Sequence, residues 1–272
     1  MKVSVGGFSF NQAFLNGTMD VFGYLETVRY RYGLSTVDLW NGQFADRSHP
    51  LLKLPDREYL KKIRQAMDEK EMTLVNIAID GAHLWDPDAD KREALHQNAL
   101  EYLDASILLG AKTVRIDTGG RGQSAFSDEE LDYVAGRYRE YCQIAQENGF
   151  TIGPENHMGP SLVPGEMKRL AEAVNHPAYG FLLHMHRWDQ DREQGDAIVA
   201  PWTVHTHFDA QTAGADDAVE TIRMLKKAGY DGYWGVEHHA HKQPYLEVEW
   251  MLTTVKHLLL MSEDDNNGEE LV

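Results

Sequence analysis

Residues 113–154 read TVRIDTGGRGQSAFSDEELDYVAGRYREYCQIAQENGFTIGP, and this stretch holds one complete strand-to-helix-to-strand unit. Thr113–Ile116 is a short apolar run with β-branched residues, as a buried strand requires. Ser127 stands at a helix N-cap, and Glu130 three positions on completes a capping box. Asp128–Asn148 then reads as a helix. Asn148-Gly149 is a helix stop just ahead of the next strand, Thr151–Pro154.

The same alternation runs outward in both directions. In chain order the strand-like runs are Val3–Val5, Thr36–Leu39, Thr73–Ile79, Thr113–Ile116, Thr151–Pro154, Tyr179–Leu183, Thr203–His207 and Tyr233–Val236. Between and after them, helices are predicted at Met19–Tyr32, Arg57–Glu71, Lys91–Leu109, Asp128–Asn148, Gly165–Val174, Ala218–Ala228 and Tyr245–Met261. Eight strands in 272 residues give about 34 residues per unit, the spacing of a single-domain (β/α)8 TIM barrel. The sixth unit is weak, because Trp188–Ala200 is too polar and too short for a full helix. A doubly wound open sheet would carry a glycine-rich fingerprint after its first strand, and Gly6-Gly7-Phe8-Ser9 is not one. The expected organisation is a barrel over residues 1–261 and an acidic, disordered tail over residues 262–272.

Composition narrows the function. Forty-three acids against 26 bases give a net charge of −17, which opposes binding to phosphates and argues against a nucleic-acid partner. The single cysteine, Cys142, excludes an intramolecular disulfide and a cysteine-based zinc cluster. No run approaches the roughly 18 apolar residues of a membrane span, so no membrane partner is expected. MKVSVGGFSF has no apolar stretch before a cleavage site, and the expected location is cytoplasmic. The unusual residue is histidine: ten of the 13 follow residue 150.

In a barrel of this kind the chemistry lies at the C-terminal ends of the strands. The fifth strand is followed by Glu155-Asn156-His157, and the sixth by His184, His186 and Arg187. His205-Thr206-His207-Phe208-Asp209 ends the seventh, and Glu237-His238-His239 follows the eighth. Asp80 and His83 stand at the end of the third strand, Arg115 and Asp117 at the fourth. Carboxylates and imidazoles crowded on one rim repel one another or shift their pKa values unless a cation sits among them, so one divalent metal ion is expected. Oxygen and nitrogen donors without thiolate suit Mn2+, Mg2+, Co2+ or Zn2+ and do not distinguish them, and Mn2+ is taken as the first expectation. Strand alternation places His205 with His207, and His184 with His186, each pair offering one ligand and either a substrate contact or a group that supports the ligand from behind. Phe8, Trp40, Trp85 and Trp188 are candidates to line a pocket with aromatic faces, and Asn41, Asp80, His83 and Arg115 to reach a substrate. Thr118-Gly119-Gly120-Arg121-Gly122 reads as a mobile loop before a phosphate cradle, and with the net charge this favours a neutral substrate before a phosphorylated one.

Pro154-Glu155-Asn156-His157, Val204-His205-Thr206-His207 and Gly235-Val236-Glu237, with Leu100–Gly110 leading into Ala111-Lys112-Thr113-Val114, carry a resemblance over nearly the whole chain. The sequence resembles the xylose-isomerase-like TIM-barrel family of sugar isomerases and epimerases, which also includes the apurinic endonucleases. The resemblance implies a metal held by Glu155, His207, Glu237 and a residue of the sixth strand. There the family usually places Asp, followed three positions on by His or Asn; this chain has His184 and Arg187. His184 is taken as the fourth ligand, with His186 the other candidate. The resemblance further implies Glu155 and Glu237 as the acid/base pair of an isomerase or epimerase. The reaction would pass through a metal-stabilised cis-enediolate, with His157, His186 or Arg187 on substrate oxygens. The same intermediate can expel a β-leaving group, so a metal-dependent lyase or dehydratase acting on a keto-sugar or 3-keto-glycoside is the alternative. A non-catalytic barrel binding a sugar or a partner is the further one. The family also makes a homo-oligomer an expectation by analogy.

Overall fold

The computed structural model describes residues 1–240 and 242–264; residues 265–272, most of the expected tail, lie outside the described residues. Among the described residues, eight parallel strands close into a barrel. They are β1 (Val3–Val5), β2 (Thr36–Trp40), β3 (Thr73–Ile79), β4 (Thr113–Ile116), β5 (Thr151–Gly153), β6 (Phe181–His184), β7 (Thr203–Phe208) and β8 (Trp234–Val236). Ladders run in the orders β1-β8-β7-β6 and β2-β3-β4-β5. The two seams are closed by single bridges: Gly6 to Asp38 between β1 and β2, then Ile152 to Tyr179 and Glu155 to Leu182 between β5 and β6.

Side chains reinforce both seams where backbone pairing is sparse. The buried Tyr24 hydroxyl donates to the carbonyls of Val5 (2.6 Å) and Asp38 (2.9 Å), tying β1 to β2. Asn156, fully buried, accepts from the His184 amide at 2.7 Å and donates to the carbonyls of His184 (2.8 Å) and Arg187 (2.9 Å). A buried amide with its hydrogen bonds made does for the β5–β6 seam what a longer ladder does elsewhere.

The helices are α1 (Val21–Glu26, continued by a π turn, Thr27–Arg31), α2 (Arg57–Glu69), α3 (Ala89–Leu109), α4 (Asp128–Asn148), α5 (Pro164–Val174), α6 (Gly195–Val199), α7 (Ala218–Lys227) and α8 (Pro244–Asp264). The capping box of α4 forms as expected: Glu130 N donates to Ser127 Oγ and Ser127 N to Glu130 Oε2. Gly149 ends the helix at φ 73°, a left-handed conformation that glycine adopts without a Cβ clash. The weak sixth unit is a five-residue helix, α6, whose Gly195 lies against the Trp188 indole where a Cβ would come within 2.5 Å. Helix α8 runs three residues past its expected end, and Lys226 Nζ donates to Ser262 Oγ at 2.8 Å, so the first tail residues are helical. No helix among the described residues is long and apolar enough to cross a membrane.

The barrel interior is polar where it approaches the mouth. Asp38, the one carboxylate in Thr36–Trp40, accepts from Ser4 Oγ of β1 (3.1 Å) and Asn76 Nδ2 of β3 (2.8 Å). Thr113 Oγ1 of β4 donates to Asn76 Oδ1. Val3, Val5, Val37 and Leu39, on the opposite faces of β1 and β2, belong to the apolar core. This polar stem, built of residues four strands contribute inward, is what the site stands on.

Candidate functional site

Glu155, His184, His207 and Glu237, from the ends of β5, β6, β7 and β8, bring one donor atom each to within 4.8 Å of one another. His184 Nδ1 lies 3.5 Å from Glu155 Oε1 and 3.8 Å from Glu237 Oε2, and His207 Nδ1 lies 3.7 Å from Glu237 Oε1. Both Nδ1 atoms are buried and lack a hydrogen-bond partner among the described residues. Donors sharing a cation at about 2.1 Å sit roughly 3 to 4.2 Å apart, and the three separations of 3.5, 3.8 and 3.7 Å fall within that spacing. Two unpartnered imidazole nitrogens aimed at two carboxylates, too distant for strong hydrogen bonds, fit a divalent cation.

Each of these four side chains is held from behind. His207 Nε2 donates to Asp38 Oδ2 at 3.0 Å, and His205 Nε2 donates to the same oxygen at 2.7 Å. Burial alone would raise the Asp38 carboxyl; the two imidazoles outweigh it and hold the group well below the usual carboxylate range. Burial likewise opposes charge on His207, yet Glu237 and Asp38 together push its pKa up to about 9. Burial would raise Glu237, but His207 and His239 bring it down to about 2. His239 Nε2 lies 2.8 Å from Glu237 Oε2. His184 Nε2 faces Asp209 Oδ2 at 3.4 Å.

Glu155 is gripped on both oxygens. Arg187 Nη1 donates to Oε1 at 2.8 Å, and Arg115 Nε lies 3.3 Å from Oε2. Against burial, His184, His157 and the two guanidiniums hold its carboxyl well below the ordinary value. Arg187 Nη2 also reaches His184 Nε2 (3.2 Å) and His239 Nε2 (3.4 Å), placing the guanidinium at the mouth above the ligands. His157 Nδ1 pairs with Asp117 Oδ2 at 2.8 Å, which lifts the imidazole to about 9.

Several expected substrate contacts lie elsewhere. His186 does not share a side with His184: β6 ends at His184, the backbone turns, and His186 sits at φ 62°. Its ring bonds Thr221 Oγ1 at 3.0 Å and its amide meets Asp196, away from the ligand cluster. His205 does share a side with His207, but it is 1% exposed on Asp38, below the cluster. Arg115 is buried among Asp80 (2.7 Å), Asp117 (3.2 Å) and Glu155, so it orders carboxylates from beneath. Trp40 is buried, with Nε1 donating to Asp80 Oδ2 at 2.7 Å, and Trp188 is buried on Asp196. His83 and Trp85 do line open space at the rim.

Sequence reading gave Asp38 no role, although a lone carboxylate inside Val37-Asp38-Leu39-Trp40 is a signal for an inward-facing polar partner. Asp209 and His239 stood at strand ends without an assignment, and the structure puts both against the ligands.

Three solved structures illustrate the likeness. The D-psicose 3-epimerase of Clostridium cellulolyticum H10, solved with D-tagatose, is 14% identical, with a TM-score of 0.74 over 95% of this chain and 99% of that one. The 3-keto-D-glucoside 4-epimerase of E. coli is 14% identical, with a TM-score of 0.72 over 94% and 99%. A protein of Bacillus anthracis described as a probable 3-DHS dehydratase is 15% identical, with a TM-score of 0.69 over 94% and 99%. At these identities the likeness is one of fold. No curated protein matches the sequence. Residues 30–258, most of the barrel, match the family described as xylose isomerase-like TIM barrel, and the chain belongs to that family.

Proposed function

We propose that this chain is a divalent-metal-dependent isomerase or epimerase of a small keto-sugar, with Glu155 and Glu237 as its acid/base pair. The observation that carries the reading is the pairing of those two carboxylates with the unpartnered Nδ1 atoms of His184 and His207. Glu155, His184, His207 and Glu237 would hold the cation, with Mn2+ the first candidate among Mn2+, Mg2+, Co2+ and Zn2+. When bound, it supplies the charge that polarises a substrate carbonyl and acidifies the neighbouring C–H.

The protein's own groups do the rest. One glutamate takes the proton from carbon, the C–H electron pair moves into the carbonyl to give a cis-enediolate, and the other glutamate returns a proton from the opposite face. Their low pKa values keep both ionised at the outset. The second glutamate therefore gains the proton it returns from the substrate hydroxyl beside the carbonyl, and the first passes the proton it took back to that oxygen. Arg187, at the mouth beside Glu155, donates to substrate oxygen, and His157 does the same from the Asp117 side. Asn156 fixes the His184 backbone, and Asp38 fixes the His207 ring.

Arg187 also favours a second reading. A fixed guanidinium beside the reacting carbon would assist a leaving oxygen, so elimination of water or an alcohol from the same enediolate is the alternative, and one structural relative is described as a dehydratase. Incubation of metal-loaded protein with keto-sugars in D2O tests both. Deuterium in an isobaric product supports isomerisation or epimerisation, and loss of water or alcohol supports elimination. Absence of exchange with every keto-sugar counts against both and leaves a binding barrel.

A further inference from the structure

Open space continues outward from the barrel mouth. A cavity of about 270 Å3 is lined by Asp80, His83, Asp117, Arg121 and His157. Asp117 Oδ1 accepts from the Glu155 amide at 3.4 Å, so the cavity borders the four-residue cluster without being lined by it. It shares His83, Arg121 and Met158 with a second cavity of about 500 Å3 that extends over the ends of β3 and β4 to Trp85, Lys91 and Gln123. The inner volume lies just below that of ligand pockets, which run from roughly 300 Å3 upward, and leaves room for one small sugar beside the cluster. The outer one is left over.

We propose that the outer cavity is a subsite for a second, uncharged sugar ring, so that the substrate is a keto-sugar carried in a two-ring glycoside. This rests on the reading above of the inner site as the reacting centre.

The wall is built, which the glycine-rich loop did not suggest in sequence. Leu84 N donates to the Asp117 carbonyl (3.0 Å) and Trp85 N to the Thr118 carbonyl (2.8 Å), and a Trp85–Gly119 bridge extends the β3–β4 pairing past both strands. Gly119 has φ 83°, and a Cβ there would lie 2.2 Å from the Trp85 carbonyl oxygen. Gly159, at φ 59°, backs onto the Gly120 carbonyl in the same way. These backbones touch only because no side chain intervenes, so the loop is a packed wall.

The lining has the chemistry of a polyol site. The Trp85 indole is held by Arg92, 4.6 Å from its centroid, and by the edge of Tyr133 at 5.5 Å. An immobilised indole offers a stacking surface for sugar C–H groups. Around it, Lys91 pairs with Asp86 at 2.6 Å, and Glu130 accepts from Gln123 at 2.7 Å. Arg121 makes no hydrogen bond or ion pair among the described residues. Two cations and two carboxylates balance, which suits hydroxyl groups and not a phosphate.

The test is calorimetric binding to Mn2+-loaded protein. D-fructose is compared with three two-ring ketoses, isomaltulose, turanose and lactulose, which join the second ring through different hydroxyls. At least one two-ring sugar is expected to bind about tenfold or more tightly than fructose, and Trp85→Ala or Lys91→Ala, at residues that line the outer cavity alone, to erase that advantage while leaving fructose affinity unchanged. Lys91 is exposed, so its variant keeps the test open if Trp85→Ala misfolds. Equal affinities for one and two rings, failure of all two-ring sugars to bind, or an advantage surviving both substitutions overturns the subsite. Deuterium exchange into fructose is followed in parallel: its absence alongside an intact two-ring advantage would strike at the proposed reaction and not at the subsite.

Discussion

His207 Nε2 and Asp38 Oδ2 lie 3.0 Å apart, and that bond turns the ring so that Nδ1 points at Glu237, 3.7 Å away. An ionised carboxylate only accepts, so the hydrogen sits on Nε2 and a donor lone pair is left on Nδ1 for a cation. Asp38→Asn removes the charge at nearly constant shape and places donor against donor. Its affinity for Mn2+ should fall roughly 10- to 100-fold, read by calorimetric titration. An affinity equal to wild type would remove Asp38 from the support of the site.

The same geometry sets a pH dependence. Without a cation, His207 takes up a proton on Nδ1, and Glu237 and Asp38 keep it there up to about pH 9. A cation must displace that proton, so apparent metal affinity should climb as pH rises from 6 toward 9, by up to about tenfold per unit, then level. A titration series in non-coordinating buffers reads this directly, and a flat profile would mean that His207 is not a ligand.

Glu237→Gln and Glu155→Gln each delete one proton acceptor. With saturating Mn2+, each should lower turnover of a productive keto-sugar by roughly 10²- to 10⁴-fold while the circular dichroism spectrum stays that of wild type. Retained activity in either variant would sink its role in proton transfer.

Arg115 is a matter of stability. It lies 2.7 Å from Asp80, 3.2 Å from Asp117 and 3.3 Å from Glu155, with a side chain 6% exposed. Arg115→Met strands three carboxylates, and denaturant unfolding should show a loss of about 3–5 kcal/mol, with Arg115→Lys recovering part of it. A loss under about 1 kcal/mol would show the carboxylates protonate or hydrate at little cost.

What the sequence made legible was local. β1, β3, β4 and α4 have the bounds read from it, because β-branched runs and the Ser127–Glu130 box are signals confined to a few neighbours. The four donors at the ends of β5 to β8 were legible for a related reason, since a barrel sends successive strand ends to one rim. The errors arise where the partner is remote or the strand has stopped. Alternation was carried past His184 to His186, but the amide of His186 turns to Asp196, which lies on α6. Arg115 read as a substrate contact because its three carboxylates come from β3, β4 and β5 and meet only in the closed barrel. Asp38 bonds His205, 167 positions away, and no short-range pattern carries that.

The most direct test is metal stoichiometry by elemental analysis after Mn2+ loading and exhaustive dialysis, on wild type and on Glu155→Ala and His207→Ala. The four-residue centre predicts about one Mn2+ per wild-type chain and little in either variant, with all three proteins folded. No bound metal in wild type, or equal occupancy in the variants, would contradict it.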